Sequence, residues 1–159
     1  MHLHDVGFMG LARSGKDAAS DILQKLGWTK IAFASPIKEI AVRDFKWNKE
    51  KDEKGRKLLQ SIGMAGRNYN PKIWIDKARN EMGSQGFKYV WTDCRFQNEI
   101  DFLRNERKAI IIRIVRPGIV AGEHISESGQ SALSADFEVI NDGTVNDLHK
   151  KIINVLLER

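Results

Sequence analysis

The sequence has a single cysteine, Cys94, and only three prolines in 159 residues. A lone thiol can form no internal disulfide and has no second cysteine with which to hold zinc, which points to a reducing compartment. Cys94 itself reads as a small buried hydrophobe. Long apolar runs are also missing: stretches such as Ala109-Ile-Ile-Ile112 fall far short of the roughly 20 residues that a membrane-spanning helix needs. The first residues lack the pattern of a secretory signal, so a cytoplasmic protein is expected. No repeat, low-complexity tract or Pro/Gly/Ser linker divides the chain, and prolines occur only at 36, 71 and 117. One domain is expected, long enough to bury a substantial core. Finally, no Lys or Arg occurs between Arg116 and Lys150.

What is present is an ordinary soluble mixture, 42% hydrophobic and 30% charged, with a formal net charge of +5. The positive balance favours anionic partners, whether nucleotides, polyphosphates or nucleic acid, and does not choose among them. The run from Lys46 to Lys57 carries both signs and reads as a solvated face.

Short apolar runs alternate with stretches of helical period. Val6 to Met9 reads as a buried strand, and Ala19, Ile22, Leu23 and Leu26 after it lie at helical spacing. Thr29 to Ala34 reads as a second strand, and Ser35-Pro36 as an N-cap with proline at the first helical position. A helix is expected from Arg56 to Ala65, and another after Asn70-Pro71 with Trp74, Ala78 and Met82 on one face, stopped by Gly83 to Gly86. Lys88 to Asp93, Ala109 to Val115 and Phe137 to Ile140 complete the strands, with a short helix from Asn98 to Asn105. Thr144 and Asp147 form a capping pair for a last helix that buries Leu148, Ile152, Val155 and Leu156. Strands that are mostly apolar throughout favour burial on both faces, so the expected fold class is α/β: a three-layer α/β/α sandwich around a five-stranded parallel sheet.

The first strand leads into Gly10-Leu-Ala-Arg-Ser-Gly15-Lys16-Asp17, a match to G-x-x-x-x-G-K. Its glycines let backbone amides turn inward around a polyphosphate, the following helix adds its positive end, and Lys16 supplies a mobile charge. Gly10, Ala12, Arg13, Ser14, Gly15, Lys16, Asp17 and Ala18 are therefore the candidate ATP-binding residues. The alternative is a glycine-rich turn with a surface lysine. The hydroxyl that usually follows the lysine and binds magnesium is missing, and Ala18 cannot replace it. Asp17 either holds a magnesium-bound water or only favours the positive end of its helix.

The stretch Ala12-Arg-Ser-Gly-Lys-Asp17 resembles the phosphate loop of the bacteriophage-type deoxynucleoside monophosphate kinases, whose lysine also tends to be followed by aspartate. Further pieces are similar in order: Phe33-Ala-Ser-Pro-Ile-Lys38, Leu58-Leu-Gln with Gly63 and Arg67, then Pro71 and Trp74. In Thr92-Asp-Cys-Arg-Phe-Gln-Asn-Glu99, the residues Asp93, Arg95, Phe96, Asn98 and Glu99 fit the family's Asp-x-Arg-Phe-x-Asn-Glu. His124-Ile-Ser-Glu127 and Asn141-Asp-Gly-Thr extend the likeness over nearly the whole chain. Ala18 departs from the family where a hydroxyl is usual, and Met64-Ala65 where Thr-Glu is common. The resemblance implies a P-loop kinase fold that uses ATP and Mg2+ to phosphorylate deoxynucleoside monophosphates. It also implies a phage or prophage source, a helical monophosphate-binding region at 36–86, a lid-like loop at 117–135 and a homodimer.

Transfer between two phosphates needs alignment and clustered cations more than a base, because the attacking oxygen is already ionised. Lys16 and Arg95 are the candidate catalytic cations, Arg95 because it follows a strand whose carboxyl end faces the ligand crevice of an α/β sheet. Asp93, at the end of the same strand, is placed to bind magnesium through water, or else to cap a helix. Arg67 can grip a monophosphate in a bidentate fork, or else is a helix-terminal arginine facing solvent, with Lys38 a lesser candidate. Arg113 and Arg116, at the end of the fourth strand, can reach the donor phosphates or the adenine, or lie on the surface. A lid at 117–135 contains no cation and has only Glu127, Ser126 or His124 with which to close on substrate. Trp74 is core by its spacing, yet an aromatic at a helix start can stack on a base. Glu99, His124 and Glu127 are assigned to substrate through the resemblance alone. Two other readings remain open: a kinase acting on phosphomevalonate or dephospho-coenzyme A, and a nucleotide-hydrolysing module acting on nucleic acid, which the basic charge alone supports.

Overall fold

Val6–Met9 forms strand β1, and all four residues are buried. A strand without one polar side chain on either face is stable only when both faces are covered. In the computed structural model, which describes residues 4–83 and 87–158, β1 lies at the centre of five strands. The others are β2 (Thr29–Ile31), β3 (Tyr89–Cys94), β4 (Ile110–Val115) and β5 (Phe137–Ile140). Their order is β2-β3-β1-β4-β5 and every pairing is parallel. Val6 stands opposite Val90 on one side and Ile110 on the other, so alternate residues of the three strands share a face.

One face carries Val6, Phe8, Val90, Ile110, Ile112, Ile114 and Val139. It is covered by Ala19 and Leu23 of α1 (Lys16–Lys25) and by Leu148, Ile152 and Leu156 of α7 (Val145–Leu157). The other face is covered by α5 (Gln97–Asn105). There Trp91 meets Phe102 edge-on at 5.5 Å between centroids, and a side chain on Gly7 would come within 2.9 Å of Leu103 and Ile111. These are the three layers read from the apolar strands. Below them, the buried Asp5 carboxylate accepts from Tyr89 N (3.1 Å), Trp91 Nε1 (3.4 Å) and Arg107 Nε (2.7 Å).

The chain divides into two compact units, Met1–Ile31 with Gln85–Arg159, and Ala32–Ser84. The second unit is helical: α2 (Ser35–Phe45), α3 (Glu53–Tyr69) and α4 (Ile73–Glu81). Trp74 is its packing centre, 3% exposed, with Nε1 donating to Gly63 O at 3.0 Å and its ring lying where a β-carbon on Gly66 would stand.

Several boundaries differ from the pattern-based reading. β2 ends at Ile31 instead of Ala34, because Ser35 N donates back to Ala32 O at 3.2 Å and turns the chain. Ala34, not Ser35, is the N-cap of α2, and no side chain caps it; proline at the start sets the backbone there instead. α3 outruns the expected 56–65 at both ends, since Asp52 accepts from Gly55 N at 2.7 Å and so caps an earlier start. α4 begins at Ile73, after Asn70 Oδ1 accepts from Lys72 N at 3.0 Å, and it ends at Glu81, leaving Met82 and Gly83 beyond it. The rest of the expected Gly83 to Gly86 stop lies outside the described residues. Residues 117–135 are not a bare loop: they contain the four-residue helix α6 (Ile125–Ser128) and a 3-10 turn, Gly129–Ala132.

Candidate functional site

The turn after β1 is possible only with glycine. At Gly10, φ is 142° and a β-carbon would stand 2.4 Å from Ile114 O. At Gly15, φ is 111° and a β-carbon would stand 2.5 Å from Asn141 Nδ2, which donates to Ser14 O at 2.9 Å. Arg13 is left-handed as well, with φ 64°, and its side chain is exposed. The loop then enters α1 at Lys16, with Asp17 exposed in the first turn and Ala18 half-buried behind it. The Ser14 hydroxyl is buried without a hydrogen-bond partner, and an orphaned donor inside this loop fits a ring of groups shaped for an oxygen-rich ligand.

Lys16 is only 8% exposed, and its Nζ donates to Gly10 O at 2.6 Å and Leu11 O at 2.7 Å. Burial first and the Arg95 charge second lower its pKa from 10.5 to about 8, against the opposing charges of Glu127, Asp17 and Asp93. Those four groups are thus the charged surroundings of the lysine. Two of its three ammonium protons are taken by carbonyls, which leaves one for a phosphate oxygen.

Arg95 follows β3, and the turn that carries it is held from below. The Glu99 carboxylate, 2% exposed, accepts from Arg95 N at 2.8 Å and Phe96 N at 3.1 Å, capping α5. Glu99 thus grips the turn's own amides and acts on Arg95 from behind. Asp93, half-buried, is one residue from Cys94, whose thiol burial pushes well above the usual range; Cys94 is an inert core residue.

The 125–133 segment reaches this centre. Glu127 Oε1 accepts from Arg95 Nη1 at 3.0 Å, Glu127 Oε2 from Ala12 N at 3.1 Å, and Gln130 Oε1 from Gly10 N at 3.0 Å. His124 stands at the N-cap of α6, its Nδ1 accepting from Ser126 N at 3.1 Å. Arg113 donates through Nη2 to the carbonyls of Gln130 and Leu133, holding this segment, and Arg116 is exposed beyond β4. Lys16, Asp93, Arg95 and Glu127 therefore come together around the loop. In the helical unit, Lys38 is half-buried on α2, Arg67 lies in the last turn of α3 over Gly63, and Trp74 packs on α3.

Gln130 and Asn141 were not singled out from the sequence as site residues. Asn141 lies in the Asn141-Asp-Gly-Thr run that the resemblance marked; nothing in the residues around Gln130 pointed to it. Two shallow hollows of about 300 and 420 Å³ lie elsewhere, one at His4, Arg104, Lys108 and Asp136, the other at Asp52, Glu53, Lys54 and Lys57; neither contains a loop residue.

Residues 42–152 match the sequence family described as Deoxynucleotide monophosphate kinase. A protein of Acanthamoeba polyphaga mimivirus, provisionally named a deoxynucleotide monophosphate kinase, is 29% identical over 94% of both chains. The deoxynucleotide monophosphate kinase of Enterobacteria phage T4 is 30% identical over 64% of this chain, which matches 44% of the phage protein's length. Among solved structures, a gluconokinase from Sinorhizobium meliloti 1021 superposes with a TM-score of 0.54, covering 98% of this chain and 93% of that one at 12% identity, a likeness of fold alone.

Proposed function

Because this chain belongs to the deoxynucleotide monophosphate kinase family, we propose that it transfers the terminal phosphoryl group of ATP to a deoxynucleoside monophosphate, with the loop after β1 holding the donor. The observation that carries this reading is the meeting of Lys16, Arg95 and Asp93 around a glycine turn at the carboxyl ends of β1 and β3. In a parallel α/β sheet these ends form the ligand crevice.

In the reaction, an ionised oxygen of the acceptor phosphate attacks the γ-phosphorus while the bond to the β,γ-bridging oxygen breaks, yielding two diphosphates. No proton has to be removed, so the protein's task is to align and to neutralise. Loop amides and the remaining Lys16 proton bind the donor phosphates, and Arg95, steadied through its backbone by Glu99, stabilises charge on the transferred group. Arg67 and Lys38 are assigned to the acceptor's phosphate. Asp93 and Asp17 are the carboxylates available to magnesium, both acting on Lys16; no group of three or more metal-binding side chains exists among the described residues. Such a sparse set fits Mg2+, which keeps several waters and relies on substrate phosphates. Magnesium held by Asp93 and Asp17 would supply charge neutralisation of the donor phosphates. Trp74 keeps its packing role between α3 and α4.

The test is an ADP-release assay with ATP and each common deoxynucleoside monophosphate, run beside dephospho-coenzyme A and phosphomevalonate. Turnover that depends on a deoxynucleoside monophosphate and disappears in Lys16→Ala is expected; turnover only with another acceptor, or with none, refutes the proposal.

A further inference from the structure

Glu127 has no part in the transfer just described, yet its carboxylate sits among the groups that perform it. Each of its oxygens takes one donor, Oε2 the Ala12 amide of the phosphate loop and Oε1 the Arg95 guanidinium. Both donors are of the kind that binds phosphate oxygens, an inward loop amide and a planar cation. At 8% exposure, a carboxylate pays heavily in lost hydration unless it is paired. Here the pairing is mutual, because Lys16 and Arg95 repel each other and Glu127 offsets that repulsion.

We infer that Glu127 is an internal counter-anion, which occupies phosphate-binding donors and has to be displaced when a polyphosphate enters. The inference rests on the reading of this loop as the donor site. A polyphosphate oxygen and the Glu127 carboxylate compete for the single hydrogen of the Ala12 amide and repel each other beside Arg95. Entry of the nucleotide therefore exchanges one anion for another and releases Arg95 for the transferring group.

The carboxylate is carried by a segment built for this seat. Gln130 ties it down through Gly10 N and its own Nε2 bond to Ser126 O (2.7 Å), and Arg113 holds the carbonyl of Gln130. Residues 116–123, which precede it, contain no helix or strand and are exposed except at Ile119, so few apolar contacts oppose its withdrawal. The alternative, in which Glu127 binds the deoxynucleotide acceptor directly, makes a different prediction for a ligand without base or sugar.

The experiment is calorimetric titration of inorganic tripolyphosphate in EDTA into the wild type, Glu127→Gln and Glu127→Asp, each checked for folding by its thermal transition. Glu127→Gln keeps the shape and removes the charge, so it binds tripolyphosphate roughly tenfold more tightly if a charged competitor has been lost. Glu127→Asp keeps the charge one methylene shorter and falls between the two. Structural damage weakens ligand binding, whereas loss of a negative charge that opposes the polyphosphate at these donors tightens it. Unchanged or weaker binding by Glu127→Gln overturns the inference while leaving the donor site intact. Absence of tripolyphosphate binding in the wild type, unaltered by Lys16→Ala, overturns the donor-site reading and this inference with it.

Discussion

Nucleotide binding to this protein is expected to take up a proton, and the amount is set by Lys16. Burial first and Arg95 second hold its pKa near 8 in place of 10.5. A polyphosphate beside the ammonium supplies the missing counter-charge and returns the value toward the ordinary one. The sign follows: well below pH 8 the lysine is protonated in both states and binding is indifferent to pH, while as pH rises through 8 the free enzyme loses a proton that the complex regains. With a bound value near 10.5, uptake at saturation is ~0.5 proton at pH 8 and ~0.9 at pH 9, and affinity falls ~fivefold between them. The assay is titration with ATP in EDTA, in buffers of different ionisation enthalpy, where the slope of observed heat against buffer enthalpy counts the protons. The nucleotide is fully ionised in this range and contributes none. Lys16→Arg, charged at every pH, removes the dependence if it binds at all. Uptake that stays near zero at pH 9 in the wild type would refute the linkage and the burial argument behind it.

Three substitutions test how the structure is held. Gly66→Ala would add about 1 kcal/mol of stability in an ordinary helix, but here the new methyl meets the Trp74 ring at 2.4 Å, and overpacking costs ~1–3 kcal/mol; urea unfolding should show a net loss, partly regained with Trp74→Leu, and a gain for the single variant contradicts the packing. Arg107→Ala leaves the buried Asp5 carboxylate with neutral donors only and should lower stability by about 2 kcal/mol in the same assay, the exposed half of the pair limiting the loss. Glu99→Ala frees the amides of Arg95 and Phe96, so kcat should fall by ~10–100-fold, more than the thermal transition alone explains; unaltered kcat would mean that the turn does not position Arg95.

Much of this protein is legible along the chain because the signals are local. Mostly apolar runs of four to six residues called for a sheet covered on both faces, and Thr144 with Asp147 marked the start of α7, where both bonds of the cap are made. Gly10 and Gly15 announced a loop of unusual backbone, and the two positive φ values agree. Helix starts were less legible, since Ser35 and Asn70 are as able to bond within a turn as to cap, and the neighbouring chain decides which.

What no pattern could supply is which distant side chains complete the loop. Glu127, Gln130 and Asn141 lie more than a hundred residues beyond the loop groups they bond, and they arrive there only because parallel crossovers bring the chain back to the same end of the sheet. The charge state of Lys16 is of the same kind. Its identity is written in the sequence, but its lowered pKa comes from burial and from neighbours that the tertiary fold assembles around it.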